Sequence, residues 1–347
     1  MPVLRLLGLV VAIALAVVAV RGYRRASLNL PDLILILLVA VVLGIVSADP
    51  SSVDPLLSRI GFPPGSRRRV IGVLVVSDFV MLFLILRAFA KTDLVAERLG
   101  DFADRSAARR FEEEYGPAPD PNQVVVVIPA LNEEDNLPRV MNEIPDCVHD
   151  LPVEVIVVSD GSLDTTERVA KARGALAVGR DLQRGQGAAV ALGYRVAIAR
   201  GARVVATVDA DGQYDPRELP GLVAPILDGQ TDIVHGSRLL GAYEQPIFGR
   251  SQGVRIFARL TSLLTGTPIT DPASGFRAFS LDALEQLEFR ESQFHAGEVT
   301  VAAAKRGLRV KEVPCTFRER ISGDSKKPPF LRYGYGYTRA LLRAWLR

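Results

Sequence analysis

The chain has 347 residues, 48% of them apolar and 23% charged, and 42 basic side chains stand against 39 acidic ones for a formal net charge of +3. That balance excludes a nucleic-acid-coating protein and a disordered acidic tail, and at roughly 150 residues per domain the length allows about two domains. Two cysteines, Cys147 and Cys315, in so long a chain exclude a disulfide scaffold and fit a reducing compartment. Of the 42 basic residues 36 are Arg, which suits bidentate contact with phosphate or acidic lipid, although a GC-rich genome produces the same bias.

The apolar residues are unevenly placed. Within residues 1–92 lie three apolar blocks, Val3 to Val20, Leu33 to Ala48 and Val70 to Ala90, each near the roughly 20 residues that span a bilayer as a helix. They predict an N-terminal α-helical membrane domain with about three transmembrane helices. The first block reads as a retained span rather than a signal peptide, because its small-x-small triplets, Ala12 to Ala16, lie inside the apolar stretch. Positive charges beside the spans number eight on the inner side and five on the outer for an inward C-terminus, with Arg67 to Arg69 the awkward outer cluster. The expectation is a protein integral to the plasma membrane with its soluble part in the cytoplasm. Asp78 sits inside the third block, where an ionised carboxylate costs at least about 2.5 kcal/mol unless paired; it marks either a lipid or partner site or a block lying off-centre. Residues 93–121, rich in Ala, Glu and Arg, read as a helical connector ended by Gly116, Pro117, Pro119 and Pro121.

From Gln123 onward short apolar runs alternate with helical patterns. Val124 to Ile128, Val153 to Val158, Ala175 to Val178, Val204 to Val208 and Asp232 to His235 are candidate strands, rich in β-branched residues and bounded by turn residues. Continuous apolar runs separated by helices predict an α/β fold with a mostly parallel sheet covered on both faces. Ligands of such sheets bind at the carboxyl ends of the strands, and the polar clusters stand there: Asn132 and Glu133, then Asp160, then Asp209 and Asp211.

The strongest single cluster is Asp209-Ala210-Asp211-Gly212-Gln213-Tyr214-Asp215-Pro216. Carboxylates at i and i+2 point the same way, so both can reach one oxygen-loving cation, Mg²⁺ or Mn²⁺, that holds a diphosphate. A calcium-binding EF-hand loop fails here, since its sixth and twelfth positions would be Tyr214 and Pro220. The plain alternative is a solvated turn. Arg184-Gly185-Gln186-Gly187 resembles the opening of a dinucleotide fingerprint, but Val190 stands where its third glycine belongs; the loop and Arg184 remain suited to phosphate. His149, His235 and His295 lack zinc-ligand spacing, and no pattern of a nucleophilic hydrolase is present. Arg318 to Lys327, around a Ser-Gly turn, is a candidate clamp for an anion or a solvated loop. Residues 329–347 alternate apolar and Arg positions at helical spacing, giving a basic amphipathic helix that suits a membrane interface or ordinary packing on the core.

Taken in order, IPALNEEDNL, VVSDGSLDTT, GQGAAVALGYRVA, VDADGQYDP, GSRLL, DPASGFRAFS and RISGDSK resemble the family 2 glycosyltransferases. Within that family the likeness is to the dolichol-phosphate mannose synthases and polyprenyl-phosphate glycosyltransferases, over about Val124 to Lys327. The resemblance implies a GT-A fold over residues 122–328, a UDP- or GDP-hexose donor and a divalent metal. It puts Pro129, Ala130, Asn132 and Glu133 beside the nucleoside and Asp160 on the base or ribose. Asp209 falls near ribose and metal, Asp211 and Gln213 on the metal, and Arg238, Ser274, Arg320 and Lys326 near the acceptor phosphate or leaving group. Three departures stand out: Leu131 replaces a frequent aromatic residue, Ser159 a frequent acidic one, and Thr270 an Arg of the mannose synthases. The QxxRW signature of processive synthases is absent.

The implied reaction is an inverting, metal-dependent transfer to a polyprenyl phosphate, with Asp211, Arg238 and Arg320 as its catalytic residues. An ionised phosphate with a second pKa near roughly 6 needs no strong base. Transfer to a hydroxyl of a glycolipid or polysaccharide would need one, for which Glu298 is the nominee. A non-catalytic membrane scaffold that binds nucleotide sugar is the rival from another class. Expected partners are the nucleotide sugar, the lipid phosphate and the membrane, not nucleic acid; oligomeric state is left open.

Overall fold

The computed structural model describes residues 2–24, 30–59, 67–118, 121–243, 250–291, 294–320 and 330–346. The chain divides into two compact units, Met1–Val95 and Ala96–Arg347. In the first, helices α1 (Pro2–Arg24) and α2 (Leu30–Ala48) run antiparallel, with Gly8 against Ser47 and Gly44 against Ala12. Ala12, Ala19 and Ala40 are buried; small residues let two apolar helices approach closely. A turn of 3₁₀ helix at Pro50–Val53 is capped by Asp49 and leads into α3 (Asp54–Arg59). The third apolar block is not a separate helix: it forms the beginning of α4, which runs unbroken over Arg67–Tyr115 through the segment read as a connector and stops before Gly116. The buried carboxylate of Asp32, in the first turn of α2, accepts from Arg87 at 2.5 Å and also pairs with Lys91, as a buried charge must. Leu6, Val10 and Ile13 of α1 and Leu38, Val41 and Ile45 of α2 are exposed. Among the described residues no helix is long and apolar enough to cross a membrane; the side chains of Asp78 and of Arg67 to Arg69 lie outside those described.

The second unit is organised by β1 (Val124–Ala130), buried along its whole length. Val124, Val126, Ile128 and Ala130 enter one apolar cluster, Val125 and Val127 another, the period of two that a strand imposes. There follow α5 (Leu137–Glu143), β2 (Cys147–Val148), β3 (Leu151–Asp160), α6 (Thr166–Ala172), β4 (Leu176–Arg180), α7 (Gln186–Ala199), β5 (Val204–Thr207), α8 (Leu219–Leu227), β6 (Ile233–Tyr243), α9 (Arg250–Thr265), β7 (Arg277–Ser280), α10 (Leu281–Glu285), α11 (His295–Lys305), β8 (Val310–Phe317) and α12 (Phe330–Leu346). The strands form one sheet in the order β2-β3-β1-β5-β7-β6-β8, with β4 also beside β3.

β3, β1 and β5 are parallel, so their carboxyl ends open on one edge. The sheet is mixed rather than wholly parallel: β7 lies antiparallel to both β5 and β6. The short β2 and β7 and the eight-residue β8 lie outside the candidate strands of the sequence. Ala107 and Phe111 of α4 join α7, α10 and α11 in covering the second face. α12 buries Tyr337, Ala340, Leu341 and Ala344, with Phe257 of α9 and Val301 of α11 in the same cluster, and exposes Tyr335, Leu342 and Trp345. Packing on the core therefore accounts for one apolar face of this terminal helix.

Candidate active site

At the shared edge of β1, β3 and β5 the chain leaves a cleft of about 220 Å³. Pro129, Ala130, Glu133, Asp160, Asp209, Asp211, Ser274 and Arg320, eight of the residues singled out in the sequence, line it together. β1 delivers Pro129 and Ala130 and then turns at Asn132, whose φ of +50° is a conformation Asn tolerates better than most residues. The Asn132 amide and side chain are spent on this turn: its N–H donates to Ser162 Oγ at 3.1 Å and its Oδ1 accepts from the Leu163 amide at 2.8 Å. Glu133 is held by Asn136 Nδ2, 2.6 Å from its Oε2.

Asp160, at the end of β3, turns its carboxylate toward the loop before α7. Oδ1 accepts from the Arg184 amide at 2.9 Å and Oδ2 from the Gly185 amide at 2.7 Å, while Arg180 pairs with Oδ1. Burial pushes this carboxyl above its ordinary value, against the pull of those amides and of the guanidinium. Through Gly185, Gln186 and Ala189 the N-terminus of α7 opens on the cleft, an end whose free N–H groups favour anions.

After β5 come the paired carboxylates. Asp209 Oδ1 accepts from Gln186 Nε2 at 2.7 Å, and Asp211 Oδ2 from Arg320 Nη2 at 2.6 Å. Gly275 lies so close that a Cβ there would stand 2.4 Å from Asp209 Oδ2; only a hydrogen fits. The Gly275 amide donates to the buried Tyr214 hydroxyl at 3.1 Å, and Ser274 Oγ is 3.3 Å from the same oxygen. The loop before β7 is thereby tied to the loop after β5. Two carboxylates at this spacing offer hard oxygen ligands, and a diphosphate adds the others that Mg²⁺ or Mn²⁺ takes. No group of three or more His, Cys, Asp or Glu side chains arranged for a metal occurs among the described residues.

Several expected residues stand elsewhere. Arg184 sends its guanidinium to Asp104, 2.7 Å away, and meets the site only through its backbone. Arg238 is buried, and Asp271 holds it bidentately, Nε to Oδ2 at 2.6 Å and Nη2 to Oδ1 at 2.7 Å. Gln213 directs Nε2 to the Arg318 carbonyl at 3.5 Å and its amide to Asp211 Oδ1 at 3.1 Å. Glu298, nominated as a base, is buried in α11 away from the cleft and accepts the Arg290 and Glu291 amides at 3.0 and 2.8 Å. Lys326 lies outside the described residues. Gln186, from the loop suited to phosphate, lines the cleft, as do Phe294, His295 and Tyr337, to which no motif of the sequence points. His295 lacks metal-ligand spacing in the sequence, and the packing of α11 against α12 brings it and Tyr337 to this edge.

Residues 125–288 match the family described as glycosyl transferase family 2. The chain is 35% identical over 210 residues to a dolichyl-phosphate hexose transferase of Haloferax volcanii, covering 60% of this chain and 88% of that protein. It is 32% identical over 215 residues to an undecaprenyl-phosphate mannosyltransferase of Micrococcus luteus, covering 59% and 87% respectively. A solved structure of glucosyl-3-phosphoglycerate synthase from Mycobacterium tuberculosis, in complex with Mn²⁺, UDP and glucosyl-3-phosphoglycerate, aligns with a TM-score of 0.51 at 26% identity, over 64% of this chain and 80% of that one. Likeness of this extent, over most of each relative's length and across the strands that build the cleft, places the chain in glycosyl transferase family 2, and the protein is a glycosyltransferase.

Proposed function

We propose that the enzyme transfers a hexose, with inversion, from a UDP- or GDP-sugar to a polyprenyl phosphate at the cytoplasmic face of a membrane. The observation that carries this reading is the convergence of Asp160, Asp209, Asp211 and Arg320 with the N-terminus of α7 on one cleft. Carboxylates there suit a ribose and a cation, and the helix end and guanidinium suit phosphate. Asp209 and Asp211 are the residues that would hold Mg²⁺ or Mn²⁺, and a cation bound there with the diphosphate supplies charge against the leaving group.

The chain's own contribution is orientation and electrostatics. Asp160 fixes the loop that receives the nucleoside. Arg320 is the cationic group of the cleft that suits an acceptor phosphate, whereas Ser274 lines the same wall with its hydroxyl turned to Tyr214 and Phe276. An ionised phosphate attacks without a strong base, which agrees with Glu298 lying away from the cleft. The relatives that act on dolichyl and undecaprenyl phosphates support this acceptor. The exposed apolar side chains of α1 and α2 support attachment of the first unit to a membrane.

A second reading, transfer to a hydroxyl, is favoured by one observation: His295 lines the cleft and is of a residue type that serves as a general base. The test is incubation of purified enzyme and Mn²⁺ or Mg²⁺ with labelled UDP- and GDP-hexoses against a polyprenyl phosphate and a neutral lipid alcohol. Label in the lipid phosphate product supports the first reading. Label only in the alcohol sinks it.

A further inference from the structure

Helix α4 precedes residues 125–288, the part shared with the family, yet it reaches the donor side of the cleft through Asp104. This carboxylate is 4% exposed and collects three guanidinium groups: Arg180 Nη1 at 2.9 Å, Arg184 Nη1 at 2.7 Å and Arg195 Nη2 at 2.9 Å. Arg180, wholly buried, spends its other terminal nitrogen on Asp160. Asp160 in turn accepts the amides of Arg184 and Gly185. The loop Gln183–Gly185, which lines the cleft through Gln183 and Gly185, is thus held twice: its amides by Asp160 and the Arg184 side chain by Asp104.

Gly100 stands one turn before Asp104, on the same face of α4. A Cβ at Gly100 would lie 2.3 Å from the guanidinium carbon of Arg184, so that group rests flat on the helix backbone. Glycine is unfavourable in a helix interior, and here its lack of a side chain gives Arg184 its seat. Without Asp104, Arg180 would be left with Asp160 alone, a changed balance in a buried cluster where one lost partner is costly. Arg184 would leave the helix, and the loop would lose its second anchor.

We infer that Asp104 is a positioning residue for the nucleotide-sugar donor, acting on the cleft through Arg180 and Asp160 and through Arg184. The inference rests on the reading of the cleft as the donor site. Asp104 touches none of the lining residues that would meet the reacting atoms, so its effect falls on donor binding rather than on turnover.

The test uses the full chain as Asp104→Asn, Asp104→Glu and Gly100→Ala, with UDP and GDP binding measured calorimetrically with Mn²⁺, donor KM and kcat, and thermal melting. Asp104→Asn and Gly100→Ala are expected to weaken nucleotide binding and raise donor KM by about ten-fold, as loss of second-layer support does, with kcat within about three-fold of the parent. Asp104→Glu restores binding in part. Gly100→Ala keeps every charge and decides the matter should Asp104→Asn not fold. Nucleotide affinity equal to the parent's in Gly100→Ala and in folded Asp104→Asn, or a fall in kcat with donor affinity intact, overturns the inference. A parent chain that binds neither UDP nor GDP overturns the donor-cleft reading itself, and with it the inference.

Discussion

Arg320 reaches Asp211 across the cleft, Nη2 to Oδ2 at 2.6 Å, joining the segment after β8 to the loop after β5. The guanidinium thus sits on a carboxylate proposed to hold a divalent cation. A cation held by Asp211 would compete with Arg320 for that oxygen and would release the guanidinium toward phosphate, its natural bidentate partner.

Arg320→Met removes the competitor. Half-activation by Mn²⁺ is expected at a lower concentration, while transfer falls by about 100-fold for want of the charge on the reacting phosphate. Asp211→Ala, by contrast, should abolish both Mn²⁺ activation and transfer with an unchanged melting temperature. A Mn²⁺ titration in which Arg320→Met behaves like the parent would show that the pair is not in competition.

Gly275→Ala places a methyl carbon 2.4 Å from Asp209 Oδ2, well inside van der Waals contact. Gly275 carries no positive φ, so the cost is steric and local. The expected result is transfer reduced by about ten-fold or more through a displaced Asp209, with a small change in melting. Kinetics at saturating and limiting Mn²⁺ check this, and full activity would mean that Asp209 need not hold its position.

Glu298 and His295 separate the two acceptor readings. Glu298→Gln keeps an acceptor for the Arg290 and Glu291 amides, and specific activity per folded molecule is expected to stay within about two-fold of the parent, with stability lowered by about 1 kcal/mol. For an ionised phosphate acceptor His295→Gln should leave the pH profile of kcat unchanged. Loss of its acid limb in His295→Gln would favour the hydroxyl acceptor.

His235 faces Arg277 across β6 and β7, and neither of its ring nitrogens has a hydrogen-bond partner among the described residues. Burial, helped by Arg277, pushes it well below the ordinary value of 6.5. The unfolded chain then binds a proton near that ordinary value while the folded one stays neutral, so stability falls as pH drops below about 6.5, by up to ~1.4 kcal/mol per unit. Urea unfolding of the parent and His235→Phe at pH 7.5 and pH 5 should show a shallower loss in the variant. Equal losses would assign the acid sensitivity to other groups.

The residues most legible in the sequence were those whose local pattern coincides with their tertiary role. Val124 to Ile128 is apolar at every position because both faces of β1 are covered, and Asp160, Asp209 and Asp211 reach the cleft because parallel strands bring their carboxyl ends together. The rest depends on long-range packing. β7 is four residues long and antiparallel, so neither period nor length announces it. Arg238 stands in a motif that promises phosphate contact, but Asp271, 33 positions away, takes two of its donors. His295 and Tyr337 come to the cleft only because α11 and α12 pack over that edge. Nothing in the connector's Ala, Glu and Arg distinguishes Asp104 from its solvated neighbours.

The closing turns of α4 also matter to how much of this chain folds without the remainder. Phe111 and Ala107 are buried with Val125, Val127 and Val178, and the Tyr115 hydroxyl accepts from the Ala177 amide at 3.3 Å. A polypeptide shortened to begin at Val125, where the family likeness starts, would bare that flank of the sheet to water and leave Arg180 without its carboxylate on the helix. Such a fragment is expected to aggregate, whereas one beginning at Ala96 retains the cover.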